Sequence, residues 1–496
     1  MTHSEVGWGG RRVVFHVLAC CGLLAACEIG SEVRPLTPAR EPVPAAPAVV
    51  ARPGPDVPTA PEPKLAPRRV APEPTERTRA TQALAVKLGA PGAKVADPCV
   101  APGGSGCERT ALAPFFESLD ALSSGTATGP TVIEAFGNSL IAGDRIVDIL
   151  RDDLGAGFGA AGRGVLLVDR MAPYGGRGRT GYSKGGWEPR TLGELRKPPH
   201  PFGITGVYHV ATVARARSRF KLEGEPRGTL WWLDVPKGGA LTVLSGDTVL
   251  ARTEPAGSGE SKATRFELPP GATSVDIVAE AKGAVVQGVV LQQARPGIVL
   301  DMLGVPSADA SLYARLDDAA LRSQLAEREP RLLVFFLGGN ESKRLEWKRT
   351  DLETLRTDLG ALLRRARGAA PNSACLVVGP MDAVRDSKDQ GKAFTQRPFL
   401  EAVVDAERQV TLAEGCAFFN LYEAMGGKGA LSRFHQAGFM HEDLVHPRGR
   451  GLDVLGHLVT DALLRAWVET PPASRRVASL SPAAGSPSGS TVEAAP

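Results

Sequence analysis

Five short apolar runs, spread over nearly three hundred residues, limit the fold of this chain more than any other feature of its sequence. They occupy residues 131–136, 298–303, 332–337, 375–378 and 416–419. Continuous apolar runs of this length are typical of parallel strands that are buried on both faces. Amphipathic helical patterns follow most of them, at residues 141–154, 345–369 and 447–467. Strands that alternate with helices predict a three-layer α/β/α sandwich around a parallel sheet.

The segment between the first two runs has a different pattern. Strand-like stretches lie at residues 229–235, 240–244, 248–251, 265–268, 274–279 and 284–291, and Gly, Pro and Asp turns separate them. Short strands with turns at this spacing indicate a β-sandwich. We therefore predict an all-β, jelly-roll-like domain at residues 180–296, inserted between two parts of the α/β domain at 111–179 and 297–468.

The N-terminus has the features of an export signal. Arg11 and Arg12 precede an apolar stretch, which ends in Leu24-Ala25-Ala26-Cys27. This ending resembles the bacterial lipobox, in which the cysteine is lipidated and becomes the new N-terminus. We predict a signal peptide at residues 1–26 and a lipid on Cys27; the alternative is an ordinary signal peptide with an incidental cysteine. Glu28 favours the outer membrane over inner-membrane retention in a Gram-negative host.

Two segments have the composition of disordered chain. Thirteen of the 40 prolines lie between residues 35 and 74, and no aromatic residue occurs from 31 to 110. Such a stretch buries too little apolar surface to offset chain entropy, so we predict a linker at 27–110 and a second disordered tail at 469–496. No apolar run after residue 27 approaches the length of a membrane span, which excludes a multi-pass membrane protein. The net charge of +4 argues against a dedicated nucleic-acid binder.

Four cysteines would remain beyond the signal and the lipidated residue. An even number in an oxidising compartment suggests disulfides. Cys99 and Cys107 flank a glycine-rich loop, and we expect them to pair with each other. Cys375 and Cys416 lie in two apolar runs and are either a second disulfide or reduced core residues.

Two motifs follow predicted strands, where ligand and catalytic groups gather in open α/β sheets. Ser139 follows the first strand and begins a helix, whose dipole and backbone N–H groups suit a developing oxyanion. Its simpler interpretation is a helix N-cap. Asn340 follows Gly338 and Gly339 after the third strand, where its amide can donate to a carbonyl oxygen. Its simpler interpretation is a turn.

A third motif, Asp443-Leu444-Val445-His446, precedes the last helix. A serine nucleophile needs a base, and the base needs an orienting carboxylate. Asp443 and His446 can touch each other across a turn. A metal site formed by His441, Asp443 and His446 is the alternative, but no third histidine at metal spacing supports it.

Together, the three motifs resemble those of the SGNH, or GDSL, hydrolases, in which serine, Gly-x-Asn and Asp-x-x-His blocks occur in this order. The chain looks like the peptidoglycan O-acetylesterase and O-acetyltransferase branch, whose SGNH domain contains an inserted β-sandwich. The resemblance covers roughly residues 110–468 and implies an SGNH-type sandwich with Ser139, Asp443 and His446 as its catalytic triad. It also implies an oxyanion hole formed by Ser139, Gly304, Ser307 and Asn340. Asn138 replaces the family's usual aspartate, and Ser307 stands where a glycine is usual.

The resemblance implies an exported, lipid-anchored serine esterase that removes or transfers O-acetyl groups on cell-wall or envelope polysaccharide. The partner would be an acetylated polysaccharide, most of all peptidoglycan, and the membrane contact would be the lipid anchor alone. No cofactor, metal ion or nucleic acid is expected. The alternative is a non-catalytic, glycan-binding surface lipoprotein with a degenerate SGNH core.

Overall fold

The computed structural model describes residues 69–103, 106–171, 180–194, 199–385 and 394–470. The predicted signal peptide, Cys27, the start of the predicted linker and most of the predicted tail lie outside these residues. None of the helices in the described part of the chain is both long and apolar enough to cross a bilayer.

The strands and helices follow one another along the chain with the following bounds. The strands are β1 (Val95–Ala96), β2 (Cys99–Gly103), β3 (Gly106–Thr110), β4 (Pro130–Gly137), β5 (Gly164–Leu166), β6 (Tyr182–Ser183), β7 (Trp187–Thr191), β8 (Val207–Ala211), β9 (Arg217–Lys221), β10 (Arg227–Leu233), β11 (Leu241–Ser245), β12 (Thr248–Arg252), β13 (Ser261–Glu267), β14 (Ser274–Ala279), β15 (Val285–Gln292), β16 (Gly297–Gly304), β17 (Leu332–Phe336), β18 (Ala374–Val378) and β19 (Ala417–Phe419). The helices are α1 (Glu76–Lys87), α2 (Ala113–Ser123), α3 (Ser139–Ala142), α4 (Arg145–Phe158), α5 (Ala310–Tyr313), α6 (Asp318–Arg328), α7 (Gly339–Glu346), α8 (Leu352–Ala369), α9 (Leu400–Ala413), α10 (Leu421–Ala424), α11 (Ala430–Gln436) and α12 (Arg450–Glu469).

The five predicted buried strands are confirmed as β4, β16, β17, β18 and β19. They form one sheet in the order β19-β18-β17-β4-β16, and every pair among them is parallel. Helices α4 and α12 pack together in one group, and α8 packs on α9 in another. The strands are buried along their length because helices cover the sheet, which is the physical reason for their continuous apolar sequences.

The inserted all-β domain is also confirmed. It forms two antiparallel sheets, β13-β10-β15-β8-β7 and β12-β11-β14-β9-β6, separate from the main sheet. Side chains such as Phe220, Trp232, Val243 and Ile277 form a core of their own between the two sheets. One difference concerns the boundary, because β5 precedes residue 180 but pairs with β15 of the insert. Three residues carry no visible strand pattern, so only the sheet pairing reveals this strand.

A buried cluster of charges connects the insert to the α/β domain. Asp301 in β16 accepts hydrogen bonds from the backbone N–H of Val165 in β5 and from Arg328 in α6, at 2.8 and 2.7 Å. Glu134 in β4 is fully buried beside them. Burial, followed by the nearby Asp301 carboxylate, raises the pKa of Glu134 well above its ordinary value.

The predicted linker at 27–110 is wrong for the described residues 69–103 and 106–110. α1 begins after Thr75, whose side chain accepts a hydrogen bond from the backbone N–H of Thr78, and packs on α12. Leu88 and Ala90 are buried, and β1 pairs antiparallel with β19 at the edge of the main sheet. Small aliphatic side chains thus provide the contact surface, so the lack of aromatic residues did not indicate disorder here.

The described part of the chain contains two disulfides. Cys99 and Cys107 are bonded within the β2–β3 hairpin, and Cys375 is bonded to Cys416. The second bond joins β18 to the residue that precedes β19, two neighbouring strands of the main sheet. Of the two alternatives for Cys375 and Cys416, the structure therefore has the disulfide and not the reduced core cysteines.

Candidate active site

Ser139 occupies a tight turn between β4 and α3. The chain leaves the strand at Gly137, where a Cβ atom would lie 2.5 Å from the side chain of Ile141. Asn138 is the N-cap of α3, and its side-chain oxygen accepts a hydrogen bond from the backbone N–H of Leu140 at 3.0 Å. Because Asn138 caps the helix, the hydroxyl of Ser139 is not needed for that purpose.

The loop before α12 brings His446 to this serine. The Nε2 atom of His446 lies 2.9 Å from the Oγ atom of Ser139, and the Nδ1 atom lies 2.7 Å from the Oδ2 atom of Asp443. With the proton on Nδ1, the ring donates to Asp443 and its Nε2 atom accepts from the Ser139 hydroxyl. The arrangement suits transfer of the serine proton to the ring.

Asp443 is fixed in the loop by a second set of hydrogen bonds. Its Oδ1 atom accepts from the backbone N–H groups of Val445 and His446, at 2.9 and 3.0 Å. Partial burial would raise the pKa of Asp443, but the hydrogen bonds from the His446 ring and from these two N–H groups lower it overall. The carboxylate therefore stays charged and orients the ring.

Asn340 lies on the other side of the same cavity, in the first turn of α7. Gly338 caps the helix with φ of 88°, and a Cβ atom there would lie 2.5 Å from Pro380. The side-chain nitrogen of Asn340 donates to the carbonyl oxygen of Ala308 at 2.7 Å. An amide nitrogen carries two hydrogens, so this bond orients the group and leaves one donor.

Gly304 and Ser307 are the other two residues predicted to form the oxyanion hole with Ser139 and Asn340. Gly304 ends β16, and a Cβ atom there would lie 2.4 Å from the backbone nitrogen of Ala142, so this glycine allows α3 to approach the sheet. Ser307 is exposed and has a left-handed backbone with φ of 65°. Neither is among the described residues that line the cavity shared by Ser139, Asn340 and His446. Their oxyanion role stays a prediction.

The cavity is small, with a volume of about 50 Å³. Its described lining combines the three motifs with residues from the loops around them: Asn138, Ser139, Leu140, Gly339, Asn340, Lys343, Met381, Asp382, Ala383, Arg397, Leu431, Leu444, Val445 and His446. A space of this size next to a serine hydroxyl suits a short acyl group.

Comparison with known protein families finds a match in the second part of the chain. Residues 274–454 match the model of the GDSL-like lipase/acylhydrolase family. This part of the chain therefore resembles the GDSL-like hydrolases of the SGNH type. No curated protein sequence matches it. The matched range contains Asn340, Asp443 and His446, while Ser139 precedes it on the far side of the insert.

Solved structures resemble the chain over different lengths. A peptidoglycan O-acetylesterase has a TM-score of 0.60 at 19% identity, and the match covers 72% of this chain and 97% of that one. A Bacillus subtilis protein, YxiM, has a TM-score of 0.30 at 10% identity, over 57% of this chain and 88% of that one. An acetyl xylan esterase has a TM-score of 0.25 at 16% identity, over 35% and 81%. The first match shows a shared fold over most of the chain.

Two buried carboxyl groups lie behind the Asn340 turn. The two oxygens of Glu341 accept hydrogen bonds from the backbone N–H groups of Gly338 and Ala310, at 2.9 and 3.2 Å. Burial, then the nearby Asp309 carboxylate, raises the pKa of Glu341 to about 7. Glu407 is also buried, and burial raises its pKa well above the ordinary value. Glu341 thus joins the first residue of α5 to the start of α7, and Asn340 joins the loop before α5 to the same turn.

Sequence reasoning missed several residues that line or support the site. Arg397 is buried and donates to the carbonyl oxygen of Gly339 and to the hydroxyl of Ser342, both at 3.1 Å. Asp382 accepts a hydrogen bond from the backbone N–H of Leu431 at 2.9 Å. Lys343 lies in the cavity wall one helical turn after Asn340. Of these residues, only Lys343 could have been found from the sequence, because it lies three residues after Asn340 on a predicted helix.

Proposed function

We propose that this chain is a serine esterase that removes O-acetyl groups from a cell-envelope polysaccharide. The observation that carries the proposal is the continuous hydrogen-bonded path from Ser139 through His446 to Asp443, at 2.9 and 2.7 Å. A serine hydroxyl is a weak nucleophile without an adjacent, oriented base, and this path provides one.

The first half-reaction forms an acyl-serine. His446 takes the hydroxyl proton as Ser139 attacks the ester carbonyl, and Asp443 stabilises the imidazolium that results. The backbone N–H of Ser139 and the free N–H of the Asn340 amide donate to the oxyanion, together with the predicted N–H group of Ser307 or Gly304. The C–O bond of the ester then breaks, and His446 returns its proton to the departing sugar oxygen.

The second half-reaction releases the acetyl group. His446 takes a proton from water, the resulting nucleophile attacks the acyl-serine, and Ser139 leaves with its proton restored. A sugar hydroxyl in place of that water would transfer the acetyl group instead. The small cavity and the shared fold with a peptidoglycan O-acetylesterase support acetyl as the acyl group and peptidoglycan as the substrate.

The proposed location is the cell envelope, on the periplasmic side or at the outer membrane. The proposal rests on the lipobox-like ending at Cys27 and on the nature of the substrate. Cys27→Ser is expected to release the protein from membranes or leave the precursor unprocessed. Unchanged processing and membrane association would contradict the anchor without affecting the esterase chemistry.

The experiment that tests the function is acetate release from p-nitrophenyl acetate and from O-acetylated peptidoglycan. The wild-type protein is expected to turn over both substrates, and Ser139→Ala to abolish both activities. Ser124→Ala, which changes an exposed serine after α2, is the matched control and is expected to keep both. Turnover that survives Ser139→Ala would reject the mechanism. Binding of peptidoglycan without any turnover would favour a non-catalytic module.

A further inference from the structure

One face of α7 runs outward from the candidate oxyanion position. Asn340, Lys343 and Trp347 follow one another at spacings of three and four residues, which places them on the same side of a helix. Asn340 and Lys343 both line the cavity beside Ser139. Seven residues of helix span about 10 Å, so Trp347 lies well beyond the reach of an acetyl group and within the reach of a sugar chain.

Trp347 is an exposed aromatic residue in contact with two cations. Its exposure is 42%, which makes it one of the large apolar residues that the described chain leaves in contact with solvent. The Nζ atom of Lys343 lies 4.8 Å from the ring centroid, and the guanidinium carbon of Arg349 lies 4.7 Å from it. Cation–π contacts at these distances keep both cations close to the indole and therefore close to each other.

The segment that carries Trp347 is rich in basic residues, with four among residues 343–349. Between Lys343 and Arg349 there is one acidic residue, Glu346, and its side chain is only 8% exposed. Glu346 turns inward to Arg385 and Arg397, at 3.4 and 3.6 Å, so its charge is compensated there.

We propose that Lys343, Trp347 and Arg349 form a subsite for a carboxylate on the polysaccharide that carries the acetyl ester. The subsite rests on the proposed esterase function and adds to it a preference for acidic glycans. A chain whose ester lies at Ser139 and which extends along α7 passes Lys343 first and then meets the indole and Arg349. The indole provides a flat apolar surface for a sugar ring, and the cations bind the carboxylate.

The test compares two substrates that differ in charge: an O-acetylated glucuronic acid trisaccharide and the matching O-acetylated glucose trisaccharide. The wild-type protein is expected to show a kcat/KM that is about three- to fivefold higher for the acidic substrate, as one or two partly exposed charge pairs would give. The preference is expected to fall in 0.5 M NaCl, because salt screens exposed charges.

The variants Arg349→Gln and Trp347→Ala/Arg349→Gln are expected to bring the ratio of the two kcat/KM values close to one. Arg349→Lys keeps the charge and is expected to retain most of the preference. Arg265→Gln, on an exposed strand of the insert, is the matched control and is expected to leave the ratio unchanged. A wild-type ratio near one, or a ratio that the double variant does not move, would overturn the subsite.

A binding experiment distinguishes a failure of the subsite from a failure of the proposed esterase function. Calorimetry with Ser139→Ala and the two unacetylated trisaccharides measures the same preference without turnover. Tighter binding of the acidic trisaccharide that disappears in Ser139→Ala/Arg349→Gln supports the subsite even if no ester is hydrolysed. Equal binding of both trisaccharides would overturn it even if the esterase activity is present.

Discussion

The side-chain oxygen of Asn138 accepts a hydrogen bond from the backbone N–H of Leu140, at 3.0 Å. This bond caps α3, so that Ser139 can direct its hydroxyl to His446 instead of its own helix. The usual family residue at this position is an aspartate, which is also a good N-cap. Asn138 therefore keeps the local structure of the turn while it removes one negative charge beside the nucleophile.

Asn138→Asp is expected to keep the fold and most of the activity, because the carboxylate accepts the same hydrogen bond. Asn138→Ala is expected to lower the free energy of unfolding by about 1 kcal/mol, since it removes the cap. It should also lower kcat, because the turn that presents Ser139 loosens. Urea unfolding and p-nitrophenyl acetate kinetics measure the two effects. Full activity in Asn138→Ala would mean that the cap does not position Ser139.

Glu341 is expected to act as a positioning residue for Asn340. Its two oxygens hold Gly338 and Ala310, whereas the amide of Glu341→Gln can accept only one of these two N–H bonds. Glu341→Gln is expected to lower kcat by about tenfold with little change in KM. Asn340→Ala is expected to cost about a hundredfold, because it removes an oxyanion donor itself.

Glu407→Gln is the matched control for Glu341→Gln. Burial raises the pKa of Glu407, so its neutral form resembles glutamine and the change should affect kcat little. Equal losses of kcat in the two variants would indicate a general loosening of the core instead of a specific effect on Asn340.

The Asp144 carboxyl gives a pH dependence of stability. Burial, with a smaller contribution from Asp148, raises the pKa of Asp144 to about 7, and its Oδ1 atom has no hydrogen-bond partner among the described residues. The folded protein therefore holds this proton more tightly than the unfolded chain does. Its contribution to stability falls as pH rises from about 4 to about 7 and is constant above that range.

Asp144→Asn removes this titration. Asn tolerates the left-handed backbone found at this position, where φ is 65°. The variant is expected to raise the free energy of unfolding at pH 8 by about 1 kcal/mol or more and to leave it nearly unchanged at pH 4. Asp247→Asn, in an exposed turn, is the control and should change neither value. Destabilisation by Asp144→Asn at both pH values would contradict this account.

The sequence predicted the parts of the fold that have a local signal. Leu332–Phe336 is apolar throughout because the strand is buried on both faces, and this pattern is visible without any structure. The order of the three motifs predicted that Ser139 and His446 would meet, although 307 residues separate them. Both predictions use residue types whose physical requirements are strict.

The remaining parts depend on contacts that no local pattern encodes. Leu88 and Ala90 belong to the main buried core, and nothing in their own segment indicates the distant residues, such as Arg433, that meet this segment. The state of Cys375 and Cys416 could not be decided until the order of the strands was known. Arg397 supports the Asn340 turn from a distant segment, and its surrounding sequence resembles that of any polar loop.

The most direct test of the central claim is covalent labelling of the intact protein with a fluorophosphonate, followed by mass spectrometry of its peptides. The account predicts one modified serine, Ser139, with labelling abolished in Ser139→Ala and strongly slowed in His446→Ala, because the unassisted hydroxyl is a weak nucleophile. Labelling of a different serine, or labelling of Ser139 at an unchanged rate in His446→Ala, would contradict the proposed triad.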